Sequence, residues 1–337
     1  MSRAPRTSDP AAWRPTASLE AVRARARLLT RIREFFRDAG VLEVETPSVS
    51  LCANTDPALE SLATRYAGPG SPQGLTLYLQ TSPEFAMKRL LAAGSGPIYQ
   101  ICKVFRDGER GRLHNPEFTL LEWYRPDFDY HRLMGEVAEL VQAVLGTPMG
   151  LERSTYAELF HRHLGLDPHG AALEELRECA VAQGVAPDNA TALSRDDWLN
   201  LLLSHCIEPD LGRGRLSFVY DYPPSQAALA RIRSGSCSVA ERFELYLEGR
   251  ELANGFQELT DAASQRRRFE ADLARRARNA QAVPPLDERL LAALEAGLPE
   301  CAGVAVGLDR LLMVLTGARH ICLLYTSDAA DDNRVVG

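Results

Sequence analysis

At 337 residues, with a formal net charge of −7, 45% hydrophobic and 25% charged residues, the chain has the make-up of a soluble globular protein with a sizeable core. No apolar run approaches the roughly 18 to 20 residues of a membrane helix, and the opening MSRAPRTSDPAAWRPTAS lacks the apolar centre of a signal peptide. The negative balance speaks against broad nonspecific nucleic-acid binding, and seven scattered cysteines without a CxxC pair speak for reduced thiols in a cytoplasm rather than a zinc site or disulfide framework.

Residues 1–16 read as a flexible lead-in. A helix is predicted over about 19–39, with Ser18 as N-cap, Gly40 as its stop, and Val22, Ala26, Leu29, Ile32 and Phe36 on one face. VLEVETP then alternates Leu42 and Val44 with Glu43 and Glu45, the pattern of a half-buried strand ended by Pro47. The next helix opens in TSPEFAMKRLLAAG, with Ser82 at the N-cap, Pro83 at the first helical position and Gly94 at the end. A strand near 98–105, a turn rich in glycine and charge over 107–112, and a strand over 116–124 read as a β-hairpin with a long loop. From about 151 to 211 the chain is rich in Leu, Ala and Glu and reads as helices inserted before the later strands. RFELYLEGRELANGF reads as a second hairpin turning near Glu248 and Gly249. Helices are predicted over 262–280 and 287–296, and Gly307 opens a last one over 308–315.

Several of these residues can carry chemistry. Period-two alternation groups Phe118, Leu120, Glu122 and Tyr124 on one face of the second hairpin strand, with an aromatic ring at one end and an acid and a phenol at the other. Arg106 ends the first strand and can reach over that face. Arg310 lies in the first turn of a helix whose start carries partial positive charge. An arginine fork matches phosphate oxygens and stays charged. Taken singly, each has a plainer reading: a solvated Arg106 over a buried aromatic face, a solvated strand acid at Glu251. Glu251 and Glu258 flank Asn254 and Gly255 at a separation of seven, so an ideal strand points them to opposite faces. Either Gly255 marks a bulge or bend, or the two acids serve different sites. Asp309 reads as a local cap or pair. His114 sits beside the hairpin loop, within reach of outer phosphates. The other six histidines show no ligand spacing.

The ordered strings FRDGERGRLHNPEFTLLEWY and GVAVGLDRLLMVL, with ELANGFQEL between them, resemble motifs 2 and 3 of the class II aminoacyl-tRNA synthetases, the lysyl branch in particular. The first helix, strand and Pro47 resemble motif 1, which builds the dimer interface in that family. The resemblance covers about residues 17–322. It implies an α+β fold, a mostly antiparallel sheet flanked by helices, in one catalytic domain over 17–325 with a helical insertion at about 151–211. It also implies a cytoplasmic homodimer that uses ATP and Mg2+ to activate a carboxylate. Ser82, Pro83, Glu84, Tyr124 and Glu258 then fall to the lysyl-substrate site, joined by Glu122 and Ala305. Arg106, Asp107, Gly108, His114, Asn115, Glu251, Leu252, Gly307 and Arg310 fall to the ATP site, with Phe118 stacking on adenine. Arg106 and Arg310 are the catalytic pair, and Glu251 and Glu258 the expected metal ligands.

Three features narrow the resemblance. The catalytic domain begins at once, where lysyl-tRNA synthetases carry an anticodon-binding OB-fold. The lysyl strings are kept. Ala305 stands where those synthetases have glycine, and one methyl in a pocket is worth about 1 to 3 kcal/mol of discrimination against α-lysine. The combination resembles stand-alone paralogues that form a β-lysyl-adenylate and pass the acyl group to a lysine ε-amine of translation elongation factor P, with tRNA binding not expected. The alternatives are charging of tRNA with α-lysine and an inactive regulatory paralogue, against which the two intact arginines speak. Two departures stand out. Many synthetases read FRxE in motif 2, whereas Gly108 occupies the fourth place here with Glu109 next. The end, YTSDAADDNRVVG, is unlike the short strand that closes such domains and reads as a polar, disordered, atypical tail.

Overall fold

The computed structural model describes residues 14–187 and 193–325. Ser18 accepts a hydrogen bond from the Ala21 amide and starts α1 (Leu19–Asp38), which leads into the short strand β1 (Leu42–Glu43). A small sheet of β2 (Val49–Ser50), β3 (Ala63–Gly68) and β4 (Ser71–Leu79) precedes α2 (Glu84–Ala92). The hairpin β5 (Ile98–Phe105) and β6 (Glu117–Pro126) is followed by α3 (Tyr130–Leu145) and β7 (Gly150–Thr155). Next come α4 (Tyr156–Leu164), α5 (Leu173–Ala182), α6 (Arg195–Leu202) and a π-helical turn, Leu203–Ile207. The chain returns through β8 (Arg215–Tyr222), β9 (Ile232–Arg233), and the hairpin β10 (Val239–Leu247) and β11 (Arg250–Gln257). It ends with α7 (Ala262–Arg278), α8 (Glu288–Gly297), β12 (Cys301–Gly307) and α9 (Leu308–Thr316).

Among the described residues nine strands form the main sheet, in order β1-β5-β6-β12-β11-β10-β8-β7, with β9 beside β10. Neighbours are antiparallel except at the two ends, where β1 runs parallel to β5 and β7 to β8. One face is dry. Leu121, Trp123, Phe243, Leu245, Ala253, Val304 and Val306 meet α1, α3 and α9 there. Phe36 stacks on Tyr99 at 4.3 Å and meets Trp123 edge-on at 5.3 Å, while the Trp123 indole donates to Glu136 at 2.9 Å. The other face is covered only at its ends. Met87, Leu91, Leu290 and Leu294 of α2 and α8 close one end, and Tyr156, Phe160, Trp198 and Leu202 of α4 and α6 close the other. The trough between them is the candidate site.

Several expectations need correction. The α1 stripe runs from Phe36 through Ile32 and Leu28 to Ala21, and the 3.6-residue period leaves Val22 and Ala26 exposed. The first strand is only two residues long and both are exposed, because it lies at the sheet edge. Ser82 stands outside α2 and Pro83 takes the cap position; the Ser82 hydroxyl accepts from the Glu84 amide at 3.0 Å. Residues 150–155, expected to begin helices, form β7, whose Leu151 and Ser154 pair with Leu216 and Val219 of β8. Thr16 is docked, donating to the carbonyls of Cys322 and Tyr325 at 2.8 and 2.9 Å. The rest of the expected lead-in up to residue 13, and the tail over 326–337, lie outside the described residues.

One buried arginine ties the outer helices to the site. Arg276 of α7 donates to the carbonyls of Thr55, Asp56, Leu59 and Ala282 at 2.7–3.0 Å and pairs with Glu60 at 2.7 Å. The Glu60 carbonyl in turn accepts from the Asp107 amide at 2.8 Å, at the start of the hairpin loop. Arg276→Met strands those acceptors and should cost about 3 to 5 kcal/mol in denaturant unfolding, with a raised KM for ATP, whereas exposed Arg278→Met should stay within about 0.5 kcal/mol of wild type.

Candidate active site

Strand register assigns the side chains to the trough. Glu122 of β6 pairs with Gln100 of β5 and with Ala305 of β12, and Tyr124 pairs with Gly303. Ala305 and Gly303 pair on their other side with Asn254 and Phe256 of β11. Paired residues share a face, so Gln100, Glu122, Tyr124, Gly303, Ala305, Asn254 and Phe256 all look into the trough. Farther along β11 the register shifts: Leu245 pairs with Ala253 but Tyr246 pairs with Glu251. Leu252 is therefore an extra residue, and it restores Glu251 to the face that holds Phe256 and Glu258. The bulge sits at Leu252 and not at Gly255. A Cβ at Gly255 would come within 2.6 Å of the Phe243 ring and 2.8 Å of the Gly303 carbonyl, so that glycine serves close packing.

At one end three carboxylates converge. Glu122 accepts from the Tyr124 hydroxyl on one oxygen and from Ser82 on the other, both at 2.7 Å. Lys88, fully enclosed, bridges Glu84 and Glu258 at 2.6 Å each. Its ammonium also lies 5.5 Å from the centre of the Phe256 ring. Glu258 Oε1 is buried with no donor, as is Gln100 Oε1 beside Glu122. Gly303 makes the space, because a Cβ there would run into the Glu258 carboxylate and the Tyr124 ring. Burial, then the Glu84 charge, pushes Glu122 up to about 7. Burial likewise raises Glu258, although Lys88 pulls against it. Burial alone would lower the Lys88 ammonium, but the Glu258 and Glu84 charges hold it above the ordinary lysine value. Cys102, on the same face, is pushed up to about 12 by burial and offers no thiolate.

The other end is cationic. Arg106 donates to the Thr81 carbonyl at 3.4 Å, lies 4.9 Å from the centre of the Phe118 ring and meets Glu109 at 3.5 Å. Glu109 is thus engaged by the arginine, and Gly108 takes the left-handed turn (φ +76°) that its neighbours could not adopt without strain. Asp107 accepts from the Gly108 amide at 2.8 Å. Asn115 is buried and braces the loop by donating to the Glu117 carbonyl at 2.6 Å. Arg310 donates to the Glu251 carbonyl at 2.9 Å and carboxylate at 3.3 Å, and to His114 Nε2 at 2.7 Å. Burial and the Arg310 charge lower the His114 pKa, which fits a neutral ring accepting that bond. The Leu252 side chain is in the core, so only its backbone faces the site. Asp309, read as a local pair, instead ties three elements by accepting from Arg25 at 2.5 Å and from the Thr119 amide at 2.6 Å.

Beyond Glu251, under α6, a cavity of about 460 Å³ is lined by Glu208, Glu244, Glu251, Arg242 and Tyr222. Burial and then the Glu244 charge push Glu208 up to about 7, and burial raises Glu244, with Glu251 adding to it. Such crowding of carboxylates suits a cation, and Mg2+ asks for one or two carboxylates beside phosphate oxygens. Glu258, expected next to Glu251 on a metal, instead lies against Lys88. Among the described residues no group of three His, Cys, Asp or Glu is spaced to hold a metal without a ligand's oxygens.

A carboxylate cluster and two arginines, Arg106 beside the sheet and Arg310 on α9, thus share one trough, and residues 10–325 match the tRNA synthetases class II (D, K and N), the family to which this chain belongs. Within it, the chain is 50% identical over 325 residues to the elongation factor P–(R)-β-lysine ligase of Enterobacter sp. (strain 638), covering 96% of this chain and 100% of that protein. It is 51% identical over 314 residues to the protein of the same name from Pectobacterium carotovorum subsp. carotovorum (strain PC1), covering 93% and 96%.

Sequence reasoning missed Lys88 and Glu244. Lys88 lies four residues after Glu84 on a predicted helix, a spacing that signals the first of its two ion pairs. Glu244 and Arg242 put charge on the face of β10 opposite Phe243 and Leu245. The pH dependence follows from the acids of this pocket, Glu258, which burial also raises, and above all Glu122. Its carboxyl takes up a proton as the pH falls through about 7, and the neutral form attracts an ammonium poorly. The KM for the amino-acid substrate should therefore rise as the pH falls from about 8 to about 6 in ATP–pyrophosphate exchange, and a flat KM would remove Glu122 from amine binding. Stability of the unbound protein runs the other way: the fold favours the neutral form, so this contribution declines as the pH rises through about 7.

Proposed function

We propose that this chain activates (R)-β-lysine with ATP and transfers the β-lysyl group to a lysine ε-amine of translation elongation factor P. The observation that carries this reading is the shared face. Glu84, Glu122 and Glu258 gather at one end and Arg106 and Arg310 at the other. The lysine-like substrate's ammonium groups are drawn to the carboxylates, which leaves its carboxylate directed toward the arginines. Arg106 and Arg310 neutralise charge that builds on the α-phosphate as that carboxylate attacks and pyrophosphate leaves. The acceptor amine then attacks the acyl carbon, loses a proton and releases AMP. Phe118, Gly307 and the backbone of Leu252 frame the nucleotide. Glu251 with Glu244 would hold Mg2+, which would offset the negative charge of the nucleotide's phosphates. Ala305, half-buried between Glu122 and Asn254, places a methyl group where the substrate's amino group must pass.

The same reading makes the enzyme a cytoplasmic homodimer joined through the α1–β1 face. That face carries Leu42, 57% exposed, and a groove of about 680 Å³ lined by Arg33, Arg37, Glu43 and Tyr99. Among the described residues no helix is long and apolar enough to cross a membrane. The test is incubation with ATP, elongation factor P and each lysine isomer. β-Lysine should support pyrophosphate exchange and add one lysyl mass to the factor. Arg310→Ala should lower kcat by about 100- to 1,000-fold. Robust charging of tRNA with α-lysine, or no mass shift on the factor, would overturn the assignment.

A further inference from the structure

The carboxylate end of the trough holds a charge that the reaction does not account for. Lys88 is the cation the protein itself places there. Its side chain is 2% exposed and touches Glu84 and Glu258 at 2.6 Å. Both oxygens of Glu122 have hydroxyl donors, from Tyr124 and Ser82. Lys88 engages Glu84 Oε1 and Glu258 Oε2. Glu258 Oε1 is left buried without a donor, in the space opened by Gly303. Three carboxylates this close and this dry cannot all stay ionised without a cation among them. With Lys88 the cluster, when fully ionised, carries two surplus negative charges, as many as a lysine isomer has ammonium groups.

We propose that Lys88 is a positioning and specificity residue of the amine pocket: its ammonium is a built-in counter-charge that holds Glu84 and Glu258 toward each other and leaves Glu258 Oε1 and Glu122 to read the substrate's ammonium. By filling the inner end of the pocket it also sets how far a substrate amine can enter. The inference rests on the proposed amino-acid activation, and its test is built to fail separately. Exchange is measured with whichever lysine isomer the wild type activates, so a wrong isomer counts against the proposed function and leaves the Lys88 result readable.

Lys88→Ala removes the cation and opens room for a small one. The lysine kcat/KM should fall about 100-fold or more, while the KM for ATP stays within about threefold. Added ethylammonium should recover at least about tenfold of the loss, and ethanol none, because only the cation restores the missing charge. Lys88→Met, whose stem fills the gap, should show the loss without the rescue. A folded Lys88→Ala enzyme with an unchanged lysine KM, or a loss that ethylammonium does not relieve, overturns the proposal. Should Lys88→Ala not fold, Lys88→Arg decides: a wider cation should keep the fold and the KM for ATP while raising the KM for lysine, and wild-type values for both sink the idea.

Discussion

A β-strand repeats every two residues, so acids seven apart belong on opposite sides of a sheet. The extra residue at Leu252 cancels that parity. Glu251 then reaches Arg310 on the same open face where Glu258 reaches Lys88. Without it, one of the two would be turned toward the apolar layer, where a carboxylate without a partner is costly. The bulge also explains the burial of Leu252: the side chain anchors the irregular backbone in the core while its main chain stays at the site. The site's electrostatics depend on this one register shift.

The trough is polarised along β6. From Phe118 to Tyr124 is roughly 20 Å of strand, with Arg106, His114 and Arg310 gathered at one end and three carboxylates at the other. In the proposed reaction that field orients a substrate bearing both signs. His114 remains neutral beside Arg310, so the cationic end does not add a third charge that would repel the two guanidinium groups. At the anionic end the hydroxyls of Ser82 and Tyr124 are spent on Glu122, and Lys88 is shared between the other two acids. Apart from Glu258 Oε1, which has no donor, these charges have their support arranged in advance, and preorganisation of that kind makes electrostatics effective in a dry site.

What the sequence made legible was local. The hairpin strands at 98–105 and 250–257, the turn at Glu248 and Gly249, and the last helix all follow from alternation, turn residues and a cap, which act over a few neighbours. The face of Phe118, Glu122 and Tyr124 was legible for the same reason. What escaped depends on partners far along the chain. β7 is a strand because β8, more than sixty residues later, offers it an edge. Lys88 reaches Glu258 across 170 positions, and Arg25 reaches Asp309 across 284. The Leu252 bulge shows only against the register of β10; from the sequence, Gly255 was the better candidate because glycine is the usual mark of an irregular strand.

β12 is where specificity narrows to a single group. Its site-facing residues are Gly303, Ala305 and Gly307, and they are not interchangeable. A Cβ at Gly303 would collide with Glu258 and Tyr124, so glycine is forced there. Ala305 lies one pleat farther from that crowded corner, between Glu122 and Asn254, and is only half-buried, so a methyl is tolerated and faces whatever crosses the strand. In the proposed reaction the distal ammonium is fixed by Glu122 and Glu258, and the carboxylate by the arginines. The remaining variable is where the second amino group sits relative to that methyl, which is the feature that separates α- from β-lysine. A methyl decides such a contest by about 1 to 3 kcal/mol, so in the proposed reaction the choice of isomer is a bias set by one carbon on this strand.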